Sequence, residues 1–221
     1  MPLFGLKGKP DIKKLQARQD VDGLIAALDY DKDSSIQDAA QIALSDIASP
    51  VVLTRLVMLV KQGTENKYVL LALANIGAPA VPFLIDLFDE PSFPPAVVVL
   101  TWIGEPAIEP LIAAYARNES VRINAEITLV RIGAPAASPL IAALKNEDRD
   151  VRWSAARALE QIGSKLEDAA LRMRAVDVLI GALDDPEFLV SGAAEDALKA
   201  ITGQDLGKES ARWRKWWEKQ G

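Results

Sequence analysis

The sequence predicts an all-α protein, an α-solenoid or superhelix of about six two-helix units. Three observations lead to this prediction. One motif recurs along the chain, the recurring segments have the 3.6-residue period of helices, and short polar turns separate them. Half of the 221 residues are apolar and a quarter are charged, which is ordinary for a globular protein.

The recurring motif is visible in the segments ANIGAPAVPFLIDLF, TWIGEPAIEPLIAAY and VRIGAPAASPLIAAL. Four units have a glycine at the same place, with intervals of 27, 29 and 30 residues: Gly77, Gly104, Gly133 and Gly163. Ala48 takes this place in the first unit. In the last unit Gly203 is displaced by the insert SKLEDAALRMRAV.

These positions define the expected organisation of the chain. Residues 1–17 are expected to form a basic tail or cap, residues 18–203 the repeat region, and residues 204–221 a C-terminal capping helix. The approximate units are 18–48, 49–77, 78–104, 105–133, 134–163 and 164–203.

Each unit is predicted to contain two helices. The first begins near a proline, at Pro82, Pro110 or Pro139, where a missing N–H costs little. The second, for example VRWSAARALEQIG, has one apolar face made by Val151, Ala155, Ala158, Leu159 and Ile162. We expect it to end in the left-handed conformation at Gly163.

A single helix pair cannot bury both of its apolar faces, whereas stacked pairs bury them against one another. Small alanine side chains also allow close contact between helices. A compact all-α bundle is the alternative, but a bundle does not need the same motif in the same frame so many times.

The pattern over about residues 20–203 resembles HEAT-like repeats of the phycobilisome-lyase type. The resemblance rests on the pairs Val121-Arg122 and Val151-Arg152 and on the ending ARALEQIG. The segment TGQDLGKESARWRKWWEKQ is similar to a terminal element of bacterial members. The resemblance implies a general scaffold, of which bilin lyases are one branch, with the second helices lining a concave surface.

Several chemistries are excluded by composition. The chain has no histidine and no cysteine, which removes the commonest general base, imidazole and thiolate metal ligands, and Ser-His or Cys-His nucleophiles. The segment GLKGKP has Pro10 where a P-loop needs a hydroxyl residue. We therefore expect no catalytic residue, no metal site and no cofactor.

The segment DYDKDSSIQDAA places Asp29, Asp31 and Asp33 at the first, third and fifth positions of a calcium loop. Ser34 then stands where the loop needs glycine, and Ala40 where it needs a bidentate glutamate. The segment is therefore interpreted as a turn between helices in which a serine or aspartate caps the next helix. The turn at Asp184-Asp185-Pro186 is interpreted in the same way.

Charge is unevenly distributed. Residues 19–207 contain 15 basic and 28 acidic residues, so this part should repel a phosphate backbone, and no nucleic-acid partner is expected. Residues 1–18 and 208–219 are basic, as solvated tails commonly are. Trp213, Trp216 and Trp217 share one helical face and are expected to cover the end of the last unit, with partner binding as the alternative.

The longest uncharged run, YVLLALANIGAPAVPFLI, is interrupted by Asn75, Gly77, Pro79 and Pro82, so two helices at a turn explain it and no membrane span is predicted. The segment MPLFGLKGKPDIKK does not have the pattern of a secretory signal. Without cysteine, nothing indicates an oxidising compartment, and the protein is expected to be cytoplasmic.

An apolar stripe is predicted on the second helices. Six residues before the glycine position, where charged residues are usual in the family it resembles, the chain has apolar residues in its first four units. The predicted partner-binding residues are Ile42, Tyr68, Leu71, Val98, Trp102 and Ile127, and the predicted polar rim is Asn75, Asn124, Arg131, Trp153 and Arg157.

An exposed apolar strip usually marks an interface, and tryptophan is a frequent hot-spot residue. The sequence therefore predicts a non-catalytic scaffold that binds a protein segment or itself, and no small-molecule ligand is expected. Two alternatives stay open. The first is that curvature of the solenoid buries the stripe. The second is that the protein is a lyase-like subunit or chaperone that holds a tetrapyrrole, and that Trp102, Tyr68, Arg131 and Arg157 contribute to tetrapyrrole binding.

Overall fold

The structure is a computed structural model that describes residues 8–89 and 94–220. All regular elements in these ranges are helical, which confirms the predicted all-α class. Residues 1–7 of the expected tail and Gly221 of the expected capping segment lie outside the described residues. The chain divides into two compact parts, Met1–Ala107 and Ile108–Gly221. These parts, each larger than one repeat, are called the first unit and the second unit from here on.

The first unit contains seven complete α-helices among its described residues. They are α1 (Ile12–Ala17), α2 (Val21–Ala27), α3 (Ser34–Ile47), α4 (Pro50–Lys61), α5 (Lys67–Ile76), α6 (Val81–Ile85) and α7 (Pro94–Ile103). The second helices α3, α5 and α7 pack side by side in one layer, while α2, α4 and α6 each pack on the second helix of their own pair. This stacking of helix pairs is the arrangement of an α-solenoid.

Helix α8 (Glu105–Ala113) contains the boundary between the two units. The second unit continues with α9 (Glu119–Ile132), α10 (Ala137–Ala143), α11 (Arg149–Gly163), α12 (Ala169–Ala182), α13 (Phe188–Thr202) and α14 (Ser210–Trp217). Here α11 packs between α9 and α13, and α12 contacts α10, α13 and α14. The second unit therefore repeats the two-layer arrangement. Helix α14 lies against α12.

Polar side chains start most of the helices. The N-terminal residue before the helix accepts a hydrogen bond from a backbone N–H in the first turn at Asp11, Asp20, Asp33, Ser49, Asn66, Asn118, Asp148 and Asp168. The interpretation of DYDKDSSIQDAA as a capped turn is thus confirmed, because the Asp33 carboxylate accepts from the N–H of Ser35 at 3.1 Å.

The helix ends show why one predicted glycine role is wrong. Gly133 ends α9 with a φ of 77°, and Ala48 takes a φ of 39° in the corresponding place after α3. Gly163, in contrast, is the last residue of α11 and has no positive φ. A Cβ at this position would lie 2.3 Å from Cγ1 of Ile201, so glycine is needed for close approach of α11 and α13.

The predicted role of Pro110 is also corrected. Helix α8 begins at Glu105, one turn earlier than expected, and Pro110 lies inside it. Pro106 takes the second helical position instead, where a missing N–H leaves no intrahelical bond unmade. Pro82, by contrast, is at the start of α6 as expected.

The predicted apolar face of α11 is confirmed. Val151, Ala155, Ala158, Leu159 and Ile162 are all buried. Within the described ranges no single helix is long and apolar enough to cross a membrane. One pair, Lys67–Ile76 with Ala78–Asp89, passes that test only when joined across a bend of 109°.

Candidate interaction surface

Each second helix presents a narrow row of accessible residues spaced four apart. On α3 the row is Asp38, Ile42 and Asp46, and on α5 it is Lys67, Leu71 and Asn75. Four residues make slightly more than one helical turn, so members of a row lie above one another. The remaining faces of α5 are largely buried between its neighbours, which confines contacts with another molecule to this row.

The apolar stripe of the first unit consists of Ile42, Leu71, Val98 and Trp102. Ile42 is 53% exposed and Trp102 is 51% exposed, while Leu71 and Val98 are half-buried. They lie on α3, α5 and α7, which pack side by side. The alternative that curvature buries the stripe is therefore wrong for Ile42 and Trp102, whereas Leu71 and Val98 are only partly accessible.

The charges beside this stripe lie at the ends of its rows. Asp38 and Asp46 are exposed on α3, and the Asp46 carboxylate accepts a hydrogen bond from the side-chain amide of Gln16 at 3.2 Å. Lys67 on α5 places its Nζ 4.8 Å from the centroid of the Tyr68 ring. The centre of the stripe is therefore uncharged.

Two predicted site residues are not accessible. Tyr68 is 7% exposed and Asn124 is 4% exposed, so neither side chain offers much surface to a partner. Both lie nine residues before the glycine position, one residue after the start of the accessible row. That position faces the interior: Asn124 donates to the carbonyl of Ser120 at 3.0 Å, and Thr128, one turn later, is fully buried.

The second unit has its own accessible row on α9, formed by Ile123, Ile127 and Arg131. Ile123 is 50% exposed, Ile127 is 44% exposed, and Arg131 is exposed. Ile123 was not among the predicted residues, although it lies one turn before Ile127 in the same row. Including the residue four positions before Ile127 in the prediction would have identified Ile123.

On α11 the accessible row changes to an aromatic and cationic surface. The guanidinium carbons of Arg122 and Arg157 lie 5.6 Å and 5.1 Å from the Trp153 ring centroid, within range of a cation–π interaction. Arg157 also pairs with the Glu126 carboxylate at 3.2 Å, which Gln161 contacts at 2.8 Å. These contacts hold the half-buried Trp153 and Arg157 in defined positions.

Burial raises the pKa of Glu126 above its usual value, although the charge on Arg157 and the hydrogen bond from Gln161 oppose the shift. The hydroxyl of Tyr115 interacts electrostatically with Glu126 and Arg157, and burial raises the pKa of this phenol. That hydroxyl is fully buried and has no hydrogen-bond partner among the described residues. The polar groups of Glu126 and Tyr115, which interact with Arg157, are therefore poorly solvated.

A shallow groove of about 240 Å³ lies between α11 and α13. It is lined by Trp153, Arg157, Glu160, Phe188, Leu189, Gly192, Ala193 and Asp196. Phe188 is 72% exposed and Leu189 is 60% exposed, and neither was predicted from the sequence. The dipeptide directly follows the polar turn DDPE, where a large apolar pair has few neighbours to pack against.

Among the described residues, no group of three or more acidic side chains is arranged to hold a metal ion. Both surfaces offer aliphatic and aromatic side chains for contact, and the second unit adds the paired arginines Arg122 and Arg157. Such surfaces suit recognition of another molecule by shape and apolar burial.

Comparison with known proteins gives three findings. Among solved structures, a designed armadillo repeat protein in complex with the peptide (KR)4 is 20% identical, with a TM-score of 0.36 over 83% of this chain and 100% of that chain. Computationally designed armadillo repeat proteins for modular peptide recognition are 22% identical, with a TM-score of 0.29 over 89% and 88% of the two chains. No curated protein matches the chain. Residues 108–199 match the HEAT-repeat family.

Proposed function

We propose that this chain is a non-catalytic protein-protein interaction scaffold that binds a segment of a partner protein along the accessible rows of its second helices. The observation that carries the proposal is the accessibility of the stripe in the first unit. Three neighbouring helices there expose apolar side chains with no charge at the centre, including the half-exposed Trp102.

Physical reasons support this reading of the stripe. Large apolar side chains that share one surface are commonly covered by a partner, and a tryptophan contributes contact area with little loss of conformational entropy. The row geometry suits an elongated occupant, because Ile42, Leu71 and Val98 repeat at equivalent places on successive helices. A helix or an extended segment with apolar side chains at regular spacing would match them.

The proposed role is non-catalytic because a chain without histidine and cysteine lacks the side chains on which most general-base, thiolate and nucleophilic mechanisms depend. The cytoplasm is proposed as its location, since nothing in a cysteine-free chain favours an oxidising compartment.

The test is capture of partners from an extract of the source organism with the wild type, Ile42→Asp with Trp102→Ala, and Val51→Asp. Val51 is 59% exposed on α4, away from the stripe, and is therefore a matched apolar control. Circular dichroism melts establish that the variants fold, and light scattering reports the oligomeric state.

We expect a protein that is captured by the wild type and by Val51→Asp and lost from the stripe variant. A dimer of the wild type that the stripe variant cannot form would identify a second copy as the partner. Equal capture by all three folded proteins would refute the proposal for this surface.

A further inference from the structure

A groove at the C-terminal helix α14 is lined by residues separate from the stripe. A groove of about 280 Å³ opens between α12, the end of α13 and α14. Its lining consists of Ala169, Arg172, Met173, Val176, Ile201, Thr202, Trp216, Trp217 and Gln220. Most of this lining is apolar, and one guanidinium, that of Arg172, belongs to it.

The wall formed by α14 is held firmly in place. Trp213 is fully buried, and its indole N–H donates to the carbonyl of Gly207 at 2.7 Å. In the same helix, Ser210 and Arg214 donate to the Asp184 carboxylate at 2.7 Å and 2.6 Å. The helix therefore closes the end of the repeat stack and at the same time supports the groove.

The tryptophans of the groove are pre-oriented. Trp216 packs edge-on against Trp213 with ring centroids 5.9 Å apart, and its centroid lies 5.7 Å from that of Trp217. The indole N–H of Trp217 donates to the carboxylate of Asp177 on α12. Trp216 and Trp217 stay half-buried, so their remaining ring surface faces the groove without the entropic cost of ordering a free side chain.

The groove also has cationic groups at its edge, beside the Asp177 carboxylate that accepts from Trp217. Among the described residues, Arg172 in the lining and Lys219 beside Gln220 form no ion pair, whereas Arg212 and Arg214 are paired with Glu209 and Asp184. Residues 208–219 contain five basic and two acidic residues. An arginine at the edge of an apolar wall can bind a carboxylate through two parallel hydrogen bonds.

We propose that this groove binds an acidic segment of a protein, with an aliphatic or aromatic side chain between the tryptophans and Met173 and a neighbouring carboxylate on Arg172. Met173 is 48% exposed, and its thioether adapts to side chains of different shape. The groove is a recess between helices with room for one or two side chains, which favours a peptide over the flat surface of a lipid bilayer.

The experiment uses the full chain and three fluorescein-labelled hexapeptides, EELFEE, EEGGEE and KKLFKK, with fluorescence anisotropy as the readout. The variants are Arg172→Glu, Arg174→Glu and Met173→Ala. Arg174 is exposed on α12 outside the groove lining, so Arg174→Glu makes the same change in net charge on the same helix. Thermal melts by circular dichroism verify that each variant is folded.

We expect EELFEE to bind more tightly than EEGGEE or KKLFKK, and Arg172→Glu to weaken its binding by about tenfold or more, the effect of losing one charge-assisted contact. Arg174→Glu should change binding much less, and Met173→Ala should weaken EELFEE without affecting EEGGEE.

Three results would overturn the proposal: no binding of EELFEE, equal binding of EELFEE and EEGGEE, or equal effects of the two arginine substitutions. Sedimentation of the protein with phosphatidylserine vesicles that depends on Arg172 would identify an anionic membrane as the occupant instead and would also overturn it. Ile42→Asp in the stripe should leave EELFEE binding unchanged, which separates this site from the proposed scaffold surface.

Discussion

Arg152 holds Asp185 of the following helix pair by two hydrogen bonds, from Nε to Oδ2 at 2.7 Å and from Nη2 to Oδ1 at 3.2 Å. Its Nη1 donates to the carbonyls of Asn146 and Glu147, both at 2.9 Å, in the turn of its own pair. The arginine of the recurring Val-Arg pair therefore joins one turn to the next.

Arg122 in the preceding repeat makes a related contact, with the first turn of α11 rather than with the turn before it. Its Nη1 lies 2.7 Å from the Asp150 carboxylate of the next pair and 3.5 Å from the carbonyl of Tyr115 in its own turn. The Val-Arg pair thus has a structural explanation: valine packs in the core, while arginine fixes the spacing of successive turns.

Replacing Arg152 with methionine should lower the free energy of unfolding at pH 7 by about 1–3 kcal/mol, because the carboxylate of the largely buried Asp185 loses both hydrogen bonds from Arg152. Arg149→Met should have little effect, since that side chain is 67% exposed in its pair with Glu187. Urea denaturation of both variants measures the difference. Equal losses would show that the connection is not specific.

The loss caused by Arg152→Met should also depend on pH. Burial raises the pKa of Asp185, but the hydrogen bonds from Arg152 and the N–H of Glu187, with the charge on Arg152, outweigh it and leave the pKa below 3.8. The stabilisation from the pair is therefore present above about pH 4 and disappears as pH falls through the lowered pKa. Unfolding curves between pH 2 and 7 test this, and a loss that stays constant would contradict it.

Gly163→Ala should destabilise the fold by about 1–3 kcal/mol, because the new methyl group overlaps the Ile201 side chain between α11 and α13. Gly181→Ala on α12 is the control. No atom lies within 4 Å of its added Cβ, so this change should raise stability by about 0.5–1 kcal/mol. In an Ile201→Ala background, which removes the overlapping Cγ1 and Cδ1, Gly163→Ala should cost less than in the wild type. A stable Gly163→Ala variant would disprove the close approach.

Glu126 should make the fold less stable as pH rises. Burial raises the pKa of its carboxyl above 4.5, so the folded state binds the proton more tightly than the unfolded chain does. The stabilising contribution is complete below pH 4.5 and is lost as pH rises through the raised pKa. The stability of wild type relative to Glu126→Gln should accordingly decrease between pH 4.5 and 7, and an increase over that range would refute the assignment.

Trp213→Ala should cost about 3–5 kcal/mol, because it empties a fully buried site and removes the hydrogen bond to the carbonyl of Gly207. Trp102→Ala should cost far less, since half of that side chain is already exposed. Thermal and urea unfolding of the two variants compare the roles of the two tryptophans. Similar stability of the two would show that α14 does not close the repeat stack.

Much of the fold was predictable from local pattern. The spacing of Val151, Ala155, Ala158, Leu159 and Ile162 correctly indicated a buried helix face, because helical periodicity is a property of neighbouring residues. The accessible positions of Ile42 and Trp102 followed from the same count. The phycobilisome-lyase type of repeat, the partner and the location in the cell stay predictions.

Other features depend on contacts between distant residues and were missed. Tyr68 and Asn124 were expected at the surface, yet both lie one residue around the helix from the accessible row and face the interior. Phe188 and Leu189 were overlooked because exposure at the start of α13 depends on which neighbours reach it. The division into two units at residues 107 and 108 is likewise not marked in the repeat pattern.

Backbone geometry and residues a few positions apart define the helical period, the pairing of helices and the place of most helix ends, so these features could be inferred from the sequence. The folded arrangement was needed to show that Gly163 accommodates Ile201, that Arg152 holds Asp185, and that the terminal tryptophans form a groove with Arg172. Such packing depends on distances between residues about 30 or more positions apart in the chain, which no local pattern specifies.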